Sequence, residues 1–504
     1  MRGGGVGGAR ASRAAGGSAV RLGVAALLGL AGGVALMGDA EAQEFRGRLL
    51  TTGRYVQVRP LDLDSVALDA TVEVDGRRQF EGRPVACVGA TCTYYRSADP
   101  EHAVVLTQDL SFTAWGLGME GLSATALLRG RADVGGAFQW PRSDDPFDAI
   151  LAYAELARER WRVRVGRQRT LSGLGFSGFD GVDARVQALS WLRVEGYGGR
   201  SLARGLEEPL HEALQAIEDF VPDQDAWLVG AAAEAQGPAA SAVGVRYQRE
   251  ILSSRGALIS ERASVDTRTG LLRPLGVQAA LDWDVAFDRI GKAHLTLQLP
   301  LQQGRMVLEA TARRYLPYFE LWTIWGFFSP VAYHEAELQA RWTPRPGATV
   351  WASGARRAYE DADAPIIFSK LTDDATRFSA GARVRLPGAL TAEGSYRLEN
   401  GFGAYLGSGD AGVSWRPHEA LSVGVRGSAF QQIMEFRVGE GVVLGAGAFV
   451  NAELTRRIRL AGGMDIYRQA FENRPAAEDW NQTRGWASVE ITFGDDPGLA
   501  GRSR

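Results

Sequence analysis

The sequence predicts an all-β fold: a transmembrane antiparallel β-barrel of about 16–20 strands with a small N-terminal β-rich module. Three observations predict it. A secretion-type leader opens the chain. Strands with one apolar and one polar face recur along most of it. The connections between those strands alternate between tight turns and long loops.

The leader comes first. Arg2, Arg10, Arg13 and Arg21 precede an apolar run from Leu22 to Met37. Ala40 and Ala42 place small residues where a signal peptidase reads, so residues 1–42 are expected to be a signal peptide, with the mature chain starting at Gln43. The apolar run is shorter than the roughly 20 residues that span a bilayer, which argues against an anchor helix. Later apolar stretches are broken within a few residues by Arg, Asp, Glu or Gln. That excludes a helical membrane protein but suits barrel strands of about 9–11 residues.

Residues 43–102 read as a separate small periplasmic module. Arg54 to Val58 alternate as a short strand, and Thr71 to Val74 lead into the Asp75-Gly76 hairpin signal. Cys87 and Cys92 are the only cysteines, and in an exported protein the expectation is a disulfide closing a small loop. Without neighbouring His or further Cys they make a poor metal site. The other possibility is that this segment supplies the first barrel strands.

Residues 103–493 carry the alternation of the barrel, with 494–504 as a tail. Val243, Val245 and Tyr247 oppose Gly244, Arg246 and Gln248. Leu295, Leu297 and Leu299 oppose His294, Thr296 and Gln298. Ala487, Val489, Ile491 and Phe493 oppose Ser488, Glu490 and Thr492. Lipid wetting one face and water the other requires this pattern. A strand that ends on an aromatic residue with alternating apolar positions also resembles the terminal insertion signal of bacterial outer-membrane barrels.

Tight turns are expected at Pro344 to Gly347, Pro387-Gly388 and Arg416 to Glu419. Longer loops are expected near Tyr359 to Asp374, Glu399 to Gly403 and Phe471 to Arg484. Short turns on one rim and long loops on the other are the asymmetry of outer-membrane barrels. The segment count is about 18 strands, a width that leaves a channel unless something fills it. The chain has 63 glycines, many of them within the strands, where small wall residues relieve crowding.

The polar faces carry the candidate chemistry. Arg162, Arg164, Arg167, Arg185, Arg246, Arg383 and Arg385 are the candidate pore-lining sites, with Arg341, Arg397 and Arg426 on similar faces. An Arg ladder in a water-filled lumen selects anions. Glu250, Asp282, Asp284, Glu337, Glu393 and Glu490 fall on the same kind of face, so cross-strand ion pairs that leave little net field are the second reading. Ser201 to Gln224 forms a long loop with helical spacing inside, a gate if it folds inward. Tyr315 to Tyr333 is dense in aromatics: an interfacial girdle, or a stacking surface for sugar rings or apolar solutes.

Net charge is −3, so no nucleic-acid partner is expected. His102, His211, His294, His334 and His418 sit at no metal-binding spacing, and Gly175 to Phe179 is not a G-x-S-x-G elbow. No enzyme activity, cofactor or metal is expected.

Val165-Gly166-Arg167-Gln168, followed by Phe179-Asp180-Gly181-Val182, resembles a pattern in alginate-export-like and other porin-like outer-membrane barrels. The resemblance covers about twenty residues. It implies a wide outer-membrane channel, and in the alginate exporters an Arg-rich lumen for a polyanionic sugar. The expected function is therefore passive or facilitated passage of small hydrophilic solutes, anionic or saccharide. The expected partners are outer-membrane lipid, the barrel-assembly machinery and those solutes. The alternative is a plugged barrel acting as an enzyme or adhesin, and the third reading is a soluble β protein.

Overall fold

The computed structural model describes residues 44–58, 61–74, 77–81, 83–135, 146–202, 225–253, 256–316, 332–360, 374–401, 404–431, 441–471 and 480–494. The expected leader, the Asp75-Gly76 turn and the tail beyond Gly494 lie outside them. So do most of the loops at Ser201–Gln224, Tyr315–Tyr333, Tyr359–Asp374 and Phe471–Arg484.

The main sheet has 22 antiparallel strands. The first, Glu44–Val58, pairs on one side with Glu101–Trp115 and on the other with the last, Trp480–Gly494. The sheet therefore closes on itself and has no free edge, which removes the template for edge-to-edge association. The remaining barrel strands pair in chain order.

The strand number exceeds the sequence count of about 18, because some strands lack the charge alternation that marks a wet face. Ala226–Gln236 carries Gly230, Ala231, Ala232 and Ala233 at its centre, and Gly441–Glu453 has only Glu453 as a charge. Another strand was assigned to the module. Glu44–Val58 belongs to the barrel, as does Glu101–Trp115 from its first residue. The boundary at 102–103 is thus corrected. The module is an insertion between the first two barrel strands, and it does not precede them.

That insertion folds as two three-stranded sheets, one from Leu61–Ala67, Thr91–Ser97 and Ala86–Val88, the other from Val72–Val74, Arg77–Phe80 and Arg83–Pro84. Cys87 and Cys92 are directly opposed and form a disulfide. Arg83 lies over the Tyr94 ring, and Phe80 packs beside it.

Arg46 pairs with Gly494, so both ends of the described chain leave from one rim. This terminal rim carries the short turns at 158–160, 190–191, 346–347, 387–389 and 419–420. The far rim carries the 61–97 insertion and the long connections at 202–225, 316–332 and 360–373. The Glu399–Gly403 segment departs from the expected long loop. Asn400 pairs with Tyr405 and Gly401 with Ala404, which makes it a tight hairpin.

The two faces of the wall differ as the alternation demands. Outward positions expose Val165, Val182, Val229, Val245, Leu281, Leu338, Phe378, Val413, Leu444, Ile466 and Ile491. Soluble monomers rarely leave so continuous an apolar belt bare. Phe45, Phe112 and Phe493 cluster outward at the terminal rim.

Many strand glycines sit under aromatic rings. A Cβ at Gly230 would meet Tyr197, at Gly381 Trp351, at Gly424 Phe449, at Gly445 Tyr467, at Gly463 Trp486, and at Gly47 Phe493, all within 3.0 Å. Each ring occupies the space over the cross-strand glycine and covers backbone that a side chain would otherwise shield. This gives part of the high glycine content a spatial cause.

Candidate functional site

The inner wall is a web of ion pairs between neighbouring and next-neighbouring strands. Arg162 reaches Asp183 at 3.0 Å, Arg164 reaches Glu155 at 2.5 Å, and Arg185 reaches Glu195 at 2.5 Å. Arg246 pairs with Asp266, Arg193 with Glu234 and Arg262 with Asp282. Arg426 grips Asp465 through two bonds of 2.7 and 2.5 Å. Arg383 faces Glu393 at 3.5 Å in direct register. Arg385 lies on the same face nearer the terminal rim, with no acidic partner among the described residues.

Of the seven Arg singled out from sequence, six therefore have acidic partners. Cross-strand ion pairing of this kind belongs to the second reading, which does not exclude the first, and Arg385 stands outside it. Arg167 needs a further correction. It is an odd position on a strand whose even positions, Arg162 and Arg164, face the lumen. Its partner Asp180 is likewise on the other face from Asp183.

The hairpin formed by Trp161–Ser172 and Gly175–Leu189 stays paired with Leu192–Ser201 up to Phe179, and beyond that its tip leaves the wall. That tip folds inward over the neighbouring part of the wall. Arg262 donates to the Leu174 carbonyl at 2.7 Å, although three strands stand between them in the sheet. Ser177 and Gln248 exchange bonds of 3.3 and 3.1 Å, and Tyr197 donates to the same Gln248 at 3.0 Å. Phe179 stacks on Tyr197 with centroids 5.5 Å apart and is 1 % exposed. Beneath the tip Gln248, Ser260, Ser264 and Asp282 are buried, as are Gln168 and Asp183 of the hairpin itself. Facing outward, they would lie in lipid; facing an open pore, they would be wet. Gln248 bonds Ser177, and Ser264 lies 3.2 Å from where a Cβ on Gly173 would stand, so the tip covers the wall here.

Local sequence permits the bend. Gly166 and Gly181 are directly paired. Gly166 has φ +126°, where a side chain is strained, and a Cβ there would meet the Ala152 carbonyl at 2.3 Å. A Cβ at Gly181 would meet the Gly198 carbonyl at 2.0 Å. Above this line pairing with Phe147–Ala157 ends at Ala152–Arg167, which frees one side of the hairpin to lean inward. A cavity of about 160 Å³ remains under it, lined by Arg162, Arg185, Glu195 and Glu234 among others. The tip leaves Leu171 and Phe176 exposed.

Further round the wall, a second cluster lies near the far rim. Glu335, with its side chain 1 % exposed, accepts from Arg357 at 2.7 Å and Arg377 at 2.8 Å, and also from Arg313. Tyr315, Tyr333 and Tyr359 are cross-strand neighbours on the same face, with centroids 5.6 and 5.9 Å apart. Arg357 stacks over Tyr333 at 4.1 Å. Two of the aromatics assigned from sequence to a lipid-facing girdle, Tyr315 and Tyr333, thus point inward. The rest of that segment lies outside the described residues. Among the described residues, no group of three or more His, Cys, Asp or Glu could hold a metal ion. No described helix is long and apolar enough to cross a membrane.

The sequence named the ladder but missed the inward hairpin. Its signal was present in the Gly166–Gly181 pair inside the two tetrapeptides, which are cross-strand partners throughout.

No family model matches the chain, and no curated protein matches it. Solved structures with a similar fold include a ferric enterobactin receptor from Pseudomonas aeruginosa, at 12% identity, covering 90% of this chain and 82% of that one, with TM-score 0.47. Acinetobacter baumannii OccAB2 shows 9% identity, covers 90% and 98%, and has TM-score 0.37. The P pilus usher PapC translocation pore shows 8% identity, covers 89% and 100%, and has TM-score 0.44.

Proposed function

We propose that the chain is an outer-membrane channel for small hydrophilic solutes, narrowed by its own inward-folded hairpin. The observation that carries this reading is the asymmetry of the lumen. One side is covered by the Trp161–Leu189 hairpin. Elsewhere the wall keeps charged side chains in water, with Arg383 63% and Glu393 55% exposed. A barrel of 22 strands is wide enough to need either a plug or a constriction if it is to discriminate by size. The apolar outer belt supports insertion in lipid, and the short-turn rim would face the periplasm. The 61–97 insertion would then face outward, not the periplasm as first expected. Barrel-assembly machinery would recognise the strand ending at Phe493.

Discrimination in this reading is passive. Paired charges give little net field, so width, hydration and local ion-pair dipoles sort solutes. The test is planar-bilayer conductance of the refolded protein beside a variant in which Arg169 to Gly178 are replaced by Asn-Gly. That turn joins Gln168 to Phe179, which are already directly paired. A larger conductance in the variant is expected. An unchanged conductance would remove the hairpin as the constriction. An inserted barrel that passes no current in either form would favour a plugged barrel acting as an enzyme or adhesin.

A further inference from the structure

At the terminal rim the balance of charge along the wall breaks down. Arg46, Arg48, Arg456, Arg457 and Arg459 surround a cavity of about 790 Å³, and Glu490 is its single acidic lining residue among those described. Glu490 is engaged by Arg48 at 2.6 Å and Arg459 at 3.8 Å, and Arg459 also meets Glu453 at 3.2 Å. Arg46, Arg456 and Arg457 have no acidic partner among the described residues. Ser111, Thr113 and Thr492 add hydroxyl groups to the lining.

The scaffold under these arginines is well fixed. Thr455 Oγ1 accepts from the backbone N–H of Arg457 at 3.1 Å and of Ile458 at 3.0 Å. The Arg457 carbonyl accepts from the Thr492 N–H at 2.8 Å, which ties the turn to the closing strand. Arg46 and Arg48 are opposed to Thr113 and Ser111. They share the face of Glu490, opposite to the face of Phe45 and Phe493. They therefore look into the lumen and away from lipid.

We infer that this cavity binds a soluble anion bearing two or more carboxylate or phosphate groups at the terminal mouth of the lumen. Guanidinium forks match such groups in paired hydrogen bonds, and several on one cavity discriminate by the number of charges. The volume suits a small polyanion better than a lone inorganic ion, and the inward aim of Arg46 and Arg48 favours a dissolved ligand over a lipid headgroup. Asp495 and Asp496 follow Gly494 directly in the chain, so a variant without their charge belongs in the test.

The experiment is calorimetric titration of the full, detergent-folded barrel with citrate and with acetate at low salt, which needs no conduction and so separates this site from the channel reading. Citrate is expected to bind at least tenfold tighter than acetate, and Arg46→Gln with Arg457→Gln is expected to weaken it at least tenfold. Both side chains are exposed and unpaired among the described residues, so the double variant should fold; heat-dependent gel mobility checks it. Equal binding of citrate and acetate would overturn the inference, as would a double variant that binds like the parent. Citrate binding that appears only in an Asp495→Asn, Asp496→Asn variant would overturn it too, because the chain's own tail would then fill the cavity.

Discussion

Arg167 and Asp180 are directly opposed on neighbouring strands and join through two bonds, Nε to Oδ1 at 2.8 Å and Nη2 to Oδ2 at 2.9 Å. Arg167 also donates to the Ala149 carbonyl at 3.0 Å. The pair sits beside the Gly166–Gly181 line, where pairing with Phe147–Ala157 ends, so it clips the hairpin to that adjacent strand. Both side chains are about a third exposed, so solvent screening holds its contribution to about 1 kcal/mol. A double-mutant cycle of Arg167→Gln and Asp180→Asn is expected to give a coupling of that size in urea unfolding. Strict additivity of the two substitutions would show that the clip is ornamental.

Glu335 presents the opposite case, since it is buried among Arg313, Arg357 and Arg377. Glu335→Gln leaves three guanidinium groups facing a neutral amide. Breaking a buried charge network typically costs about 3–5 kcal/mol, and Glu337 beside it should absorb part of this. The expected result is a lower midpoint in urea unfolding, with increased current noise as the Tyr333–Arg357 stack loosens. A midpoint within error of the parent would show that Glu337 substitutes fully.

Neutralising Arg383 and Arg385 together tests the remaining solvent-exposed charges on the open side of the lumen. Arg383 already faces Glu393, so the variant exposes that carboxylate and removes two positive charges. The reversal potential in a salt gradient should move toward cation preference. The effect should shrink at 1 M salt, where the Debye length is about 3 Å. No movement at low salt would mean that permeating ions do not pass this part of the wall.

Gly47 and Phe493 approach closely where the first and last strands pair to close the barrel. A Cβ at Gly47 would lie 2.1 Å from the Phe493 ring. Gly47→Val is therefore expected to hinder pairing of the first and last strands, read as a lower yield of the compact, fast-migrating form before heating. The companion variant Gly47→Val with Phe493→Ala should recover that yield, because the space is returned. Failure of the rescue would place the defect in the strand and not in the contact.

Reduction of Cys87–Cys92 should act on the insertion alone, since its two sheets are hydrogen-bonded separately from the barrel sheet. Dithiothreitol is expected to make residues 61–97 more susceptible to protease while heat-dependent mobility of the barrel stays the same. A joint loss of both would reveal that the insertion braces the rim.

The sequence by itself determined the barrel, because lipid and water impose a period of two on every wall strand, and that period is written locally in segments such as Ala487 to Phe493. It determined the terminal-rim turns at Pro346-Gly347 and Pro387-Gly388 for the same local reason. It left the role of the arginines open. Whether Arg185 guides anions or meets Glu195 depends on strand register, which brings together residues from separate segments. Only the tertiary structure decided that Leu174 reaches Arg262, that Tyr315 and Tyr333 face inward, and that Arg46 and Arg457 share a cavity although almost the whole chain lies between them. Closure of the sheet creates those neighbours, and no local pattern records which residues a closed wall will bring face to face.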